Sequence, residues 1–305
     1  MDTREWALLV FTILGQTAAG SLLVLMIVRT YAVRTAGVEQ ADRFTDGPLY
    51  IIVPIMGLAL LSSLLHLGSP LNIAKAVPNL GTSWLSREVV ISVTFLIIAG
   101  AYTLIQWRKI GTETLRTVIG WIAALVGVAQ VYGMSMVYMI RTQPAWNTLA
   151  TPVNFFTTAL LLGVVTIAAA LVVNHNRLNK DIEKTEKQLV SLRSVLQGLA
   201  LASIVLVGVE FLVMPLYMAY LSSQGTAALE SLNMITSSFS SMLAIRLITV
   251  FVGAVILAGY LYHNASITGK ENTLYTLVYS ALILVLASEV MGRYIFYATH
   301  VRIGL

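Results

Sequence analysis

Apolar residues along this chain fall into long runs separated by short polar stretches, and the pattern occurs eight times. The runs are Trp6–Val28, Pro48–Leu67, Val89–Trp107, Leu115–Ile140, Pro152–Val173, Val195–Leu221, Leu243–Tyr262 and Thr273–Tyr297. A hydrocarbon core about 30 Å thick is crossed by about 20 helical residues. Each run therefore predicts a transmembrane helix, and residues 1–305 read as one all-α, polytopic membrane bundle of eight helices. A membrane barrel would show alternating segments of about ten residues instead. The first run passes the small residues Thr17-Ala18-Ala19-Gly20 without a break, and the preceding MDTRE has no net positive charge. It is expected to be a retained helix and not a cleaved signal.

Composition agrees with a lipid-facing surface. Hydrophobic residues make up 57% of the chain and charged residues 11%, against about a quarter charged in a soluble domain. The net charge of +5 does not point to nucleic acid, because no basic helix face or aromatic–basic patch is present. Cysteine is absent, which excludes disulfides, iron–sulfur clusters and thiolate zinc sites within this chain. The basic residues sit in the connections, where they set orientation. Twelve Lys and Arg fall on one side of the eight-helix topology and seven on the side of the termini. That bias predicts a cytoplasmic-membrane protein with both termini on the outer, periplasmic side. The one long charged connection, Asn174–Arg193, keeps helical spacing at Leu178, Ile182, Leu189 and Leu192. It reads as a solvated cytoplasmic extension of the flanking helices.

Ionisable residues inside the apolar runs are few, and each is costly to bury. Glu210 has no partner at helical spacing on its own run, so it is expected to be protonated or paired across helices. Arg246 lies near the outer end of its run, within snorkelling reach of the interface. Glu289 and Arg293 stand four apart with the acid first, the order that favours a pair along one helix. Phe296 and His300 continue that stripe toward the outer face. Gln16 and Gln130 are placed to hydrogen-bond between helices. Of the four histidines, His66 and His300 belong to the outer face and His175 and His263 to the inner. All sit at helix ends, and a haem, which needs two axial ligands aimed at one iron, is not expected. No nucleotide-binding or hydrolase motif stands in a suitable context.

The connection LLHLGSPLNIAKAVPNLGTSWLSREVV, residues 64–90, places His66 and Glu88 on either side of a bridge stiffened by Pro70 and Pro78. Pro70 suits the first turn of a short interfacial helix, Leu71–Val77, that Pro78 helps to stop. Ser86 is expected to cap the next helix, with Glu88 in its first turn and Arg87 directed about 100° away around the axis. Two outer histidines, an acid and an aromatic would then converge on one small-molecule pocket. A proton-coupled secondary transporter and a purely structural anchor are alternatives at this point. The paired halves with inverted repeats that a transporter would carry are not visible.

This stretch, together with EWALLVFTILGQTAAG, QPAWNTLATPVNFFTTALLLG, AIRL around Arg246 and ASEVMGRYIFYATHVRIGL, closely resembles the membrane-anchor subunit family of dimethyl sulfoxide reductases. The family is related more distantly to polysulfide reductase membrane subunits. The resemblance covers nearly the whole chain and implies a subunit without haem, iron–sulfur cluster or metal of its own. It implies oxidation of menaquinol, with electrons passed to a four-cluster iron–sulfur subunit and on to a molybdenum–bis(pyranopterin) catalytic subunit. His66 of the HLGSP element and Glu88 are the family positions tied to quinol chemistry. The wider quinol-binding set takes in Gly68, Ser69, Pro70, Arg87, Arg246, Glu289, Arg293 and His300. Loop Asn174–Arg193 departs from the family pattern in being longer and more charged than a short link.

Overall fold

The computed structural model describes residues 3–66, 77–178, 185–263 and 271–303. Ten α-helices account for almost all of them. They are α1 (Thr3–Ala36), α2 (Val38–Leu49), α3 (Ile52–His66), α4 (Trp84–Trp107), α5 (Glu113–Val137), α6 (Ala150–Leu178), α7 (Thr185–Ser223), α8 (Thr226–Thr236), α9 (Ser240–His263) and α10 (Glu271–Ala298). No strand occurs among the described residues, and the all-helical expectation holds.

Among the described residues, seven spans are long and apolar enough to cross a membrane: α1, α2 continuing into α3, α4, α5, α6, α7 and α10. The eighth is broken. α8 and α9 pass the same test only together, and they bend by 66° at the break between them. Across that break Ser237 N donates to Asn233 O but Phe239 N reaches back to Met234 O, so the helical ladder loses its register. The serines flanking Phe239 favour this, because their hydroxyls compete with the backbone for hydrogen bonds.

Several helices outrun their expected limits. α2 begins at Val38, ten residues before the expected start at Pro48. Its polar sequence VEQADRFTDGPL buries Ala41, Asp42, Thr45, Pro48 and Leu49 on one face. Hydrophobic patterning alone missed it because Asp42 is on the buried face. Gly37 makes the turn between α1 and α2 at φ 83°, a conformation costly for a residue with a Cβ. Pro54 lacks the N–H that would bond back to Tyr50, and the helix is interrupted between α2 and α3 just there. α6 and α7 run on to Leu178 and from Thr185, consistent with helical extension of the charged connection.

α1 and α6 form the centre. Of their apolar windows 78% is buried in the bundle, against 28% for the spans ending in α3, α4, α7 and α10. Gly20 and Gly163 mark where these two helices cross with no side chain between them. A Cβ on Gly20 would lie 1.7 Å from the Ala159 carbonyl oxygen, and one on Gly163 would lie 2.4 Å from the Gly20 carbonyl carbon. Close backbone approach through small residues is the usual way lipid-embedded helices gain packing contact. Around this pair α3 and α5 pack on α1, α10 on α6, α4 on α5, and α9 on α7 and α10. The start of α1 and the end of α10 lie at one end of the bundle. Trp6 of α1 meets Tyr294 of α10 at 5.9 Å between ring centroids, and Ile303 N donates to Thr142 O at 2.8 Å.

Candidate functional site

The end formed by the start of α1 and the end of α10 gathers most of the chemistry. α4 starts there with Ser83 as its N-cap, whose hydroxyl accepts from Ser86 N at 3.3 Å. This corrects the expected cap at Ser86. The helix begins at Trp84, so Glu88 lies in the second turn and sits deeper than the first-turn position assigned to it. Arg87 turns back, donating from Nε to Leu80 O and from Nη2 to Gly81 O, both at 2.8 Å. Its guanidinium also covers the Trp84 ring at 4.5 Å. Arg87 thus fastens the loop before α4 and does not neutralise Glu88, as its helical angle predicts.

Glu88 points inward on the face it shares with Ser92, Phe95 and Ala99. It is 4% exposed. A Cβ on Gly133 of α5 would lie 3.6 Å from Glu88 Cα, so the two helix backbones are close at this level. No described residue makes a hydrogen bond or ion pair with its carboxyl group. His66 is the last residue of α3, and α3 packs against α4, which brings the two helix ends together. The His66 side chain, Gly68, Ser69, Pro70 and the expected interfacial helix Leu71–Val77 lie outside the described residues, apart from a 3-10 turn at Val77–Asn79.

Beside Glu88, an aromatic cluster joins α5, α6 and α10. Tyr138 contacts the rings of Trp146, Phe155, Phe296 and Tyr297 at centroid distances of 5.2–5.6 Å. Trp146 stacks on Phe296 at 5.3 Å and on His300 at 4.4 Å, and its Nε1 donates to Phe296 O at 2.9 Å. Tyr138 and Tyr297 share a 2.8 Å hydrogen bond between their hydroxyls. Glu88 lies within electrostatic range of both tyrosines. Arg293 completes the cluster, its guanidinium 3.7 Å above the Phe155 ring.

The expected pair between Glu289 and Arg293 does not form among the described residues. Arg293 Nη2 donates instead to Gln16 Oε1 at 2.9 Å, and Gln16 Nε2 donates to Phe155 O at 3.0 Å. Glu289 accepts from Thr158 Oγ1 at 2.6 Å and lies 3.9 Å from Arg246 Nη2. Helical spacing permits an i,i+4 pair, but neighbouring helices offered each partner a better one. Arg246 likewise does not snorkel. Its Nη2 meets Glu210 at 3.2 Å, resolving the cross-helix alternative for that acid in favour of pairing. Gly292 makes room for it, since a Cβ there would lie 2.4 Å from Arg246 Nε. Gln130 bridges helices as expected, though its partner is the Met56 sulfur at 3.5 Å.

A second polar cluster occupies the opposite end. Asp42 pairs with the buried Arg29 and accepts from Gln106 Nε2 at 2.9 Å and Lys109 Nζ at 2.8 Å. Arg116 lies 3.7 Å away, and Asp46 takes further bonds from Gln106 and Lys109 at 2.8 and 2.6 Å. Counting Arg29, Lys109 and Arg116 as loop charges overlooked this cluster. Asp42 and Asp46, four apart on one helix, were the available signal. The cluster ties α1, α2, α4 and α5 together with no acidic oxygen standing apart.

The residues sequence reasoning missed are Thr12, Tyr138 and Tyr297. Tyr297 stands four residues after Arg293 and so faces the same way, whereas nothing local distinguishes Tyr138 from an interfacial aromatic.

The fold and these sites define a polytopic helical membrane protein with a buried polar cluster toward each end of the bundle. Comparison with known proteins makes the class specific. The family model described as DMSO reductase anchor subunit (DmsC) matches residues 1–299, and the protein belongs to that family. It is 26% identical over 301 residues to a chain of the anaerobic dimethyl sulfoxide reductase of Haemophilus influenzae, covering 99% of this protein and 96% of that one. It is 29% identical over 308 residues to a chain of the anaerobic dimethyl sulfoxide reductase of Escherichia coli, covering 99% and 97%. A sulfite dehydrogenase subunit from Allochromatium vinosum is 27% identical over 169 residues, 52% of each protein.

Proposed function

We propose that this subunit anchors a dimethyl sulfoxide reductase-type complex in the cytoplasmic membrane and oxidises menaquinol there. The observation carrying the proposal is Glu88, a carboxyl group 4% exposed with no described partner. Placing such a group at membrane depth costs roughly 3 kcal/mol, and no described residue offsets that cost with a hydrogen bond or ion pair. Oxidation of a quinol to a quinone releases two electrons and two protons. A carboxylate within hydrogen-bond reach can accept one proton, and an imidazole, which titrates near neutral pH, can accept the other. His66 takes that second role.

The electrons leave this subunit for an iron–sulfur partner of four clusters, which supplies a molybdenum–bis(pyranopterin) subunit reducing dimethyl sulfoxide or a similar acceptor. The iron–sulfur partner contacts the end that holds Glu88, because this subunit has no cysteine to bind a cluster that would carry electrons elsewhere. The Lys/Arg bias assigns that end to the periplasmic side. A transporter would place its coupling site at a broken helix. The break between α8 and α9 carries only Ser237, Ser238 and Phe239, and no ionisable group.

The test compares electron entry by two routes in membranes holding the whole complex. Glu88→Gln and His66→Ala are each expected to lower menaquinol-driven turnover by about 100-fold, the usual scale of a lost proton acceptor. Turnover driven by a soluble reductant that feeds the partner subunits directly is expected to stay unchanged. Normal menaquinol oxidation in Glu88→Gln would refute the assignment.

A further inference from the structure

The hydroxyls of Tyr138, Tyr297 and Thr12 form a relay whose direction is fixed by its far end. Thr12 Oγ1 lies 3.1 Å from Leu8 O and 3.0 Å from Leu9 O. Carbonyl oxygens only accept, so the single Thr12 proton is committed to them. Thr12 can then only accept from Tyr297, whose hydroxyl donates to it at 3.4 Å. With its one proton used, Tyr297 must accept from Tyr138 across their 2.8 Å contact. The proton of Tyr138 is therefore committed as well. What remains on Tyr138 Oη is a lone pair, and no other described group donates to it. Tyr138 is buried, as is Tyr297, so water does not freely satisfy that lone pair.

We propose that Tyr138 is a specificity residue that distinguishes the reduced ligand from the oxidised one, with Tyr297 and Thr12 as positioning residues acting through it. The proposal rests on the quinol reading above. A quinol hydroxyl is a donor and fits a lone-pair acceptor. A quinone carbonyl is an acceptor and leaves both itself and Tyr138 unpaired in a buried site, which is where such mismatches discriminate most strongly. Glu88 does not provide this discrimination. As a carboxylate it accepts from the quinol, but once it has taken the proton it becomes a donor and suits the quinone equally well. The hydroxyl relay cannot reverse in that way while Thr12 holds its carbonyl. Tyr138 thus favours binding of substrate and release of product.

The measurement is direct binding of 2,3-dimethyl-1,4-naphthoquinol and its quinone to the purified whole complex, without oxygen. Quinol is titrated with the clusters already reduced, and quinone with them oxidised, so that neither reacts. The native complex is expected to bind quinol about tenfold more tightly than quinone, the factor expected for one buried hydrogen bond. Tyr138→Phe should bring that ratio near one. Tyr297→Phe frees the Tyr138 proton and should shift preference toward quinone. Thr12→Val, distant from the ligand and nearly isosteric, should lower the ratio several-fold by removing the anchor that sets the direction. It also serves if Tyr297→Phe fails to assemble. A native ratio near one, or an unchanged ratio in Thr12→Val, would overturn the inference. Failure of the native complex to bind either ligand would overturn the quinol reading instead, so the two failures are distinguishable.

Discussion

Replacing Gly20 by alanine should cost more than any change of its size elsewhere in the apolar core. The added Cβ would lie 1.7 Å from the Ala159 carbonyl oxygen, whereas ordinary contact begins at 3.4 Å. The Cβ is fixed by the α1 backbone and the oxygen belongs to the α6 backbone at the centre of the bundle, so no rotamer change relieves the overlap, and α1 must move away from α6. The required shift, about half the ordinary contact distance, carries the 3.0 Å bond from Gln16 to Phe155 O out of hydrogen-bond range. Overpacking of this kind costs about 1–3 kcal/mol, and the buried hydrogen bond adds about 1 kcal/mol. The expected loss is therefore about 2–4 kcal/mol. Thermal denaturation of the complex in detergent provides the assay. Gly57→Ala and Gly100→Ala, where an added Cβ meets nothing within 4 Å, serve as controls expected to behave as the native protein. A Gly20→Ala complex that melts with those controls would refute the reasoning.

Arg246→Met should deplete the assembled subunit, because it leaves the Glu210 and Glu289 carboxyl groups buried without their cation, a loss of about 3–5 kcal/mol. Glu210→Leu added to it should restore part of the yield, as quantified by immunoblot of membranes. Asp42→Ala should also reduce the amount of subunit, since Arg29, Gln106, Lys109 and Arg116 all converge on that residue. The ratio of quinol-driven to soluble-donor turnover should nevertheless stay unchanged, because the cluster lies at the far end from Glu88.

The helical class and most spans were legible because lipid imposes a single requirement, a run of apolar residues long enough to cross. The parts that escaped are those where polar residues are buried by mutual satisfaction. α2 was hidden because Asp42 looks like a loop residue until Arg29, Gln106 and Lys109, distant in sequence, surround it. The Glu289–Arg293 pairing failed for the same reason. Spacing on one helix fixes which groups are close to each other, but not whether Thr158, Gln16 or Arg246 comes closer from a neighbour. Tyr138 and Tyr297 stand 159 residues apart, and only the packing of α5 end against α10 end reveals them as a unit.

The separation of the two polar clusters carries a consequence for energy conservation. Arg293 reaches α1 at Gln16, and the next ionisable residue along α1 is Arg29. That is thirteen residues, or about 20 Å of helix, over which only Thr17 and Ser21 are polar. On α6 the interval from Thr158 to Asn174 contains one polar side chain, Thr166. A proton moving from the Asp42 cluster to the Glu88 end would therefore cross most of the hydrocarbon thickness along the two central helices without a titratable carrier. Protons from quinol should instead leave at the end where they are released. If the terminal acceptor takes up protons on that same side, turnover transfers no net charge across the membrane. Proteoliposomes containing the whole complex and a potential-sensitive dye should show no sustained signal during menaquinol oxidation. A potential that builds with turnover and collapses on adding a protonophore would place either a proton path or the partner subunits differently from this arrangement.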